Sequence, residues 1–325
     1  MRRTVHQSNL VIRPVPSAGL DAILAYRKQI RPLKRTAFRG GSTHASSGSI
    51  LSTSEGRKQR TTTVWEGRLM RTTETVSSGP VLVVTGASRG IGESVARLAG
   101  ARGYAVVVNY VRDEAAAANV VRGIERAGGR ALAIRGDVSH EDDVMALFEQ
   151  AARTFGSVTA LVNNAGMTGR PGRLDAVTTD ELWRLLAVNV AGTILCAREA
   201  VRRMSRRHGG RGGAIVNLSS GAARLGGAGE WVHYAATKGA VDSFTIGLAR
   251  EAAADGIRVN AVRPGLIDTQ IHAAAGDPGR LARLAPSIPA GRAGTAEEVA
   301  EAILWLLSPA ASYTTGAILD VSGGR

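Results

Sequence analysis

Cysteine, lysine and aromatic residues are scarce in this chain of 325 residues, and each scarcity excludes something. The one cysteine, Cys196, rules out an intramolecular disulfide and predicts a reducing, cytoplasmic compartment. It falls within a helical apolar pattern without a thiolate-activating neighbour and is expected to be packing. No apolar run approaches the ~18 residues that a membrane-crossing helix needs, so none is expected. A secretory signal is not expected either, because the mild apolar stretch over 10–26 is broken by Arg13, Pro14, Pro16 and Asp21. Aromatics make up only 4% of the residues, but an apolar content of 44% is enough for a sizeable core.

Arginine is what the chain has in excess. A net charge of +14 suggests a nucleic-acid partner until its distribution is followed. Residues 1–79 hold 14 Lys+Arg against 4 Asp+Glu, whereas 80–325 hold 27 against 23. The surplus belongs to the N-terminal segment, and neither nucleic acid nor a membrane is expected as a partner of the remainder. The segment 1–79 has no sustained period and is rich in Ser, Thr, Arg and Gly, the composition of a disordered extension. Two readings stand: an acid-poor targeting peptide, or, the favoured one, an upstream extension with translation starting at Met70.

From Pro80 the pattern becomes regular. Val81-Leu82-Val83-Val84 is a short continuous apolar run, the mark of a strand buried on both faces. The turn Thr85-Gly86-Ala87-Ser88-Arg89-Gly90-Ile91-Gly92 follows, then a helical stretch to Gly103. Strand, glycine-rich turn and helix in that order let a backbone approach a pyrophosphate and offer it free N–H groups at a helix start. Further strands are expected over 105–109, 131–134, 158–162, 214–218, 258–261 and 317–321. Helices are expected over 113–128, from a Ser139/Asp142 capping box to about 154, over 179–207, from Tyr234 to about 254, and from a Thr295 cap through 307. Such alternation implies one α/β domain over 80–325, a Rossmann-type doubly wound, seven-stranded parallel sheet with helices on both faces. Ligands of such sheets lie at the carboxyl ends of the strands. There the chain places Asp137, Asn163-Asn164-Ala165-Gly166, Ser219-Ser220 and Pro264-Gly265 with Asp268-Thr269. Any one of these could be turn chemistry; four on one edge point to a site.

Tyr234 and Lys238 lie four apart on a predicted helix and so share a face. A phenol ionises near pH 10, and an adjacent ammonium is expected to favour the phenolate and make it a general acid/base. Alone the pair also fits a solvated helix face. The chain has only four lysines, Lys28, Lys34, Lys58 and Lys238, so the domain uses arginine everywhere except four residues after Tyr234. A compact ammonium is not interchangeable with a planar guanidinium.

Taken together, Thr85-Gly86-x-x-x-Gly90-x-Gly92, Asn163-Asn164-Ala165-Gly166, Asn189, Ser220, Tyr234-x-x-x-Lys238 and Pro264-Gly265-x-x-x-Thr269 resemble the short-chain dehydrogenase/reductase family. The subgroup is similar to 3-oxoacyl-carrier-protein reductases and glucose-dehydrogenase-like members. The resemblance implies a carbonyl/secondary-alcohol oxidoreductase with Tyr234 as general acid/base and Ser220 orienting the substrate oxygen. Lys238 would lower the Tyr234 pKa and hold the nicotinamide ribose, and Asn189 would support a proton-relaying water. It implies a dinucleotide held by Gly86, Ser88, Arg89, Gly90, Ile91, Asn109, Tyr110, Asp137 and Val138 at one end. Asn164, Ala165, Gly166, Tyr234, Lys238, Pro264, Gly265, Ile267 and Thr269 would hold the other. No metal site is expected. NADP(H) is favoured, with NAD(H) as the alternative, because strand two ends without an acid until Asp113 and because Arg89 resembles a 2′-phosphate-binding arginine. Family members are usually homotetramers. The alternative reading is a non-catalytic NAD(P)-binding module that senses redox state. One departure is the 14-residue step from Ser220 to Tyr234, one longer than in such reductases. The extra residue falls in 229–233, and the substrate pocket is expected from 222–233 and 270–292, with Leu225, Trp231, His233 and His272 as candidates. Arg202, Arg203, Arg206 and Arg207 could form an acyl-carrier docking patch or a solvated helix end.

Overall fold

The computed structural model describes residues 79–270, 276–277 and 279–325. The basic extension, Met70 and His272 lie outside the described residues.

Seven parallel strands form one sheet in the order β3-β2-β1-β4-β5-β6-β7. They are β1 (Val81–Val84), β2 (Ala105–Tyr110), β3 (Arg130–Arg135), β4 (Val158–Asn163), β5 (Gly213–Leu218), β6 (Ile257–Pro264) and β7 (Ile318–Val321). On one face pack α1 (Gly90–Ala101), α2 (Glu114–Arg126) and α9 (Ala296–Leu307); on the other pack α3 (Glu141–Phe155), α5 (Gly192–Met204) and α7 (Val232–Ala252). β1 shows why its sequence is apolar without a break. Leu82 and Val84 meet Val95, Ala99 and Ile303 on the first face, while Val81 and Val83 meet Leu147, Phe148 and Ala200 on the second. Each such side chain contributes about 1.5–3 kcal/mol through burial.

Chain order reverses between β1 and β4, and a crevice opens there at the strands' carboxyl ends. Cys196 lies in the second core layer, fully buried, and burial pushes its thiol up to about 12. It is packing.

Three local expectations are corrected. Ser139 does not cap α3, whose N-cap is His140 without a side-chain bond; the Ser139 hydroxyl donates to Asp137 instead, at 2.7 Å. The helix expected over 179–207 is α4 (Thr179–Leu186), a π-helical turn over Ala187–Ala191 and then α5, ending at Met204. β6 extends to Pro264, three residues beyond the expected end, because its neighbour β7 continues to offer hydrogen-bond partners. The Thr295 cap is present as a reciprocal capping box with Glu298. Among the described residues no helix is long and apolar enough to cross a membrane.

Candidate active site

The crevice is a cavity of about 880 Å³, and its floor is the turn after β1. Gly86 has φ +60°, and a Cβ there would come within 3.0 Å of Ala165 Cα, so glycine is needed for both conformation and space. A Cβ on Gly92 would meet Asn164 Nδ2 at 2.4 Å. The turn is stitched to the loop after β4. Thr85 Oγ1 accepts from the backbone N–H groups of Asn164 and Ala165, both at 3.0 Å, and Asn164 Nδ2 donates back to Thr85 O and Gly86 O. Beneath it Asn109 accepts from Gly86 N at 3.1 Å and donates to Gly136 O at 2.9 Å. Asn109 is buried and does not line the cavity, so the direct cofactor contact implied for it is corrected to a brace under the turn.

α1 starts at Arg89 without a side-chain cap, so no side chain of its own occupies the N–H groups of its first turn. Ser88, Arg89, Gly90 and Ile91 line the cavity at that point, and Arg89 is exposed. This uncapped, positively poled start beside two positive-φ glycines is a cradle that fits a pyrophosphate. Tyr110, Asp137 and Val138 line the same end. Burial pushes the Asp137 carboxyl up, but hydrogen bonds from Ser139 and the charges of His140 and Arg184 outweigh it and hold the group below its usual value. Asp113, the first acid after β2, is occupied as the N-cap of α2, accepting from Ala116 N at 2.9 Å.

Toward the other end the walls are Asn164, Ala165 and Gly166 after β4, and Pro264 at the end of β6 with Gly265, Ile267 and Thr269 after it. Between them stand Ser220, Tyr234 and Lys238. Ser220 and Tyr234 stand side by side in the cavity wall. Burial pushes the Tyr234 phenol above its ordinary value, and the nearby Ser220 hydroxyl only partly offsets it. Lys238 Nζ lies over the Tyr234 ring, 5.8 Å from its centre, and donates to Leu218 O at 2.7 Å rather than to the phenol. Lys238 is itself buried, which pushes its ammonium down to about 8 against the opposing charge of Asp242.

Asn189 sits in the π-helical turn, fully buried and outside the cavity wall. Its Oδ1 accepts from Met167 N at 2.9 Å, and its Nδ2 donates to Met167 O at 2.8 Å and Thr237 Oγ1 at 3.1 Å. These bonds commit its side chain to buckling the loop after β4 onto α7. Its backbone oxygen accepts from Thr193 Oγ1 at 2.9 Å.

The remaining opening is walled by Met167, Thr168, Val188, Leu225, Trp231 and Gln270, with Glu230 and Arg280 among its polar groups. Leu225 and Trp231 are thus where the sequence placed them. His233 is not: it is buried against Gly169, its Nε2 3.9 Å from Glu181 Oε1. Met167 and Thr168 were missed, although they directly follow Asn-Asn-Ala-Gly. Glu230 and Arg280 fall within the two segments expected to form the pocket, but their pairing, which spans 50 residues of chain, was not legible.

An enoyl-(acyl carrier protein) reductase family model matches residues 86–325. An uncharacterized oxidoreductase of Escherichia coli (strain K12) is 50% identical over 245 residues, covering 75% of this chain and 99% of that protein. The 3beta-hydroxysteroid dehydrogenase 1 of Eggerthella lenta is 43% identical over 251 residues, 76% of this chain and 93% of its own. A crystal structure of a 3-ketoacyl-(acyl-carrier-protein) reductase from Brucella melitensis, complexed with NADH, superposes with a TM-score of 0.70 at 38% identity, covering 76% of this chain and 98% of that one. The chain belongs to the short-chain dehydrogenase/reductase family. It is an oxidoreductase acting on CH–OH groups.

Proposed function

We propose that the protein interconverts a carbonyl and a secondary alcohol on a small molecule, using NADP(H). The observation that carries this reading is that Ser220, Tyr234 and Lys238 line the same cavity as the uncapped glycine turn. A nicotinamide held in this cavity would supply or accept the hydride. As carbonyl reduction builds negative charge on oxygen, the Ser220 hydroxyl donates to that oxygen and the Tyr234 phenol, held protonated by burial, gives up its proton. Lys238 keeps an ammonium at the cavity wall for the ribose hydroxyls. Asn189 acts as a positioning residue, holding Met167 and Thr237 in register with Tyr234.

NADP(H) is supported by the exposed Arg89 on the turn and by the engagement of Asp113 in capping α2. An NAD-type acid would instead be aimed at a ribose 2′-hydroxyl. A free small molecule is the reading taken over an acyl carrier; the arginine cluster that a carrier would dock on is partly engaged, Arg202 and Arg203 sharing the one carboxylate of Glu199 and Arg207 pairing with Asp255. Exposed Trp183, Ile194 and Ile246 on α4, α5 and α7 support a homotetramer built through those helices. The test is NADPH-dependent turnover across a panel of carbonyl compounds, with Tyr234→Phe beside the wild type. Loss of at least a hundredfold in kcat with retained NADPH binding is expected; undiminished turnover in the variant would refute the assignment.

A further inference from the structure

The one-residue expansion between Ser220 and Tyr234 falls where three walls of the opening meet. Glu230 O accepts from Gly172 N at 2.8 Å, and Trp231 Nε1 donates to Gly169 O at 3.2 Å, tying this segment to the loop after β4. On its other side Arg280, in the short helix α8 (Arg280–Leu284), donates two parallel bonds to Glu230: Nη1 to Oε1 at 2.8 Å and Nη2 to Oε2 at 2.7 Å. The guanidinium lies 4.5 Å from the centre of the Trp231 ring. Arg280 is only 8% exposed, and Glu230, Trp231 and Arg280 all line the cavity.

This is a specific arrangement. A fork-on-fork Arg–carboxylate pair fixes orientation as well as distance, and a guanidinium stacked on an indole is held in a plane. Arg280 also lies 3.9 Å from Asp277 Oδ2, but the shorter bond of that carboxylate goes to Arg283, at 2.5 Å. Removing Glu230 would leave a buried cation without its bidentate partner, a costly state that the local structure relieves by moving. Neither residue touches Ser220, Tyr234 or the glycine turn through any of these bonds.

We propose that Glu230 and Arg280 are positioning residues for the substrate, a bidentate clamp that seats α8 on Trp231 and thereby fixes one wall of the substrate compartment. The proposal deepens the oxidoreductase reading above and rests on it for the meaning of the compartment. It also gives the expanded segment a purpose: that segment carries both the carboxylate and the indole that Arg280 needs.

The test uses the full chain and three variants: Glu230→Gln, Arg280→Met and the double variant. In Glu230→Gln, KM for the carbonyl substrate should rise at least tenfold, with kcat within threefold and NADPH affinity within twofold of wild type. Because the two residues act as one unit, the double variant should be no worse than the poorer single variant. Hydrogen–deuterium exchange without substrate should quicken at least tenfold over 279–284 in Glu230→Gln, with the strands of the sheet unchanged. Unchanged exchange over 279–284, a KM within twofold of wild type, or additive losses in the double variant would each overturn the clamp. The exchange readout needs no turnover. A wild type that reduces no carbonyl compound would therefore sink the functional reading while the clamp is still judged by exchange.

Discussion

Lys238 spends its ammonium on Leu218 rather than on Tyr234: Nζ donates to Leu218 O at 2.7 Å and stands 5.8 Å from the Tyr234 ring centre. That placement makes the lysine a cost to the fold. Burial depresses its pKa from 10.5 to about 8. Below pH 8 both folded and unfolded chains hold the proton, and the full penalty for burying a cation applies. Between about 8 and 10.5 the unfolded chain binds more protons than the folded one, so stability rises with pH across that window. Lys238→Met should therefore stabilise the protein at pH 7 by about 1–2 kcal/mol, after allowing for the lost Leu218 bond, while abolishing turnover. Calorimetry at pH 7 and pH 10 checks this, and the gain should shrink at the higher pH.

Asn109→Leu should weaken dinucleotide binding although the side chain does not reach the cavity. The substitution strands Gly86 N and Gly136 O in a buried setting, a cost of about 2–4 kcal/mol, and releases the turn that forms the cavity floor. A fluorescence titration should show at least tenfold weaker NADPH binding, alongside a lower denaturation midpoint. Unaltered affinity would mean that Asn109 is not the brace.

Arg89→Ala should separate the two cofactors. Loss of a charge-assisted contact costs about 1.5–3 kcal/mol, so KM for NADPH should rise about tenfold or more while KM for NADH stays within twofold. A wild type that prefers NADH would overturn the NADP(H) proposal before the variant is made.

Thr295→Ala provides a contrast remote from the chemistry. Thr295 Oγ1 accepts from Glu298 N at 3.2 Å, and Glu298 accepts from Thr295 N at 2.8 Å. Losing this cap should cost about 1 kcal/mol of stability and leave kcat/KM unchanged.

The strands and the glycine turn were legible because their signals are local: uninterrupted Val and Leu runs, glycines at fixed offsets, a Thr–Glu capping pair. Tyr234, Lys238 and Ser220 were legible as a constellation, since each follows a strand end on one edge of the sheet. The electrostatics between them were not. Spacing on a helix says that Tyr234 and Lys238 share a face, but the ammonium's choice of Leu218 depends on where β5 ends in space. Ser139 and Asp142 carried a valid capping pattern, yet Asp137 competed for the serine hydroxyl and won. Asn109 could be placed at a strand end but not assigned to the side facing away from the cavity. Glu230 and Arg280 meet only through tertiary structure, and no local pattern announces them.

The π-helical turn over Ala187–Ala191 lodges one extra residue in an otherwise α-helical rod. α4 presents Glu181 to the Arg170 backbone near the opening, while α5 presents Cys196, Ala200 and Met204 to the core. A regular α-helix turns about 100° per residue. Deleting one residue between Leu186 and Gly192 would let the rod close as an unbroken α-helix, with no loss of backbone bonding to mark the damage. It would leave those two faces close to their present phase, because a π turn holds one extra residue within a single turn, but it would withdraw Asn189 from Met167. This rod is therefore expected to accept many substitutions along its length and no change in the number of residues at its middle.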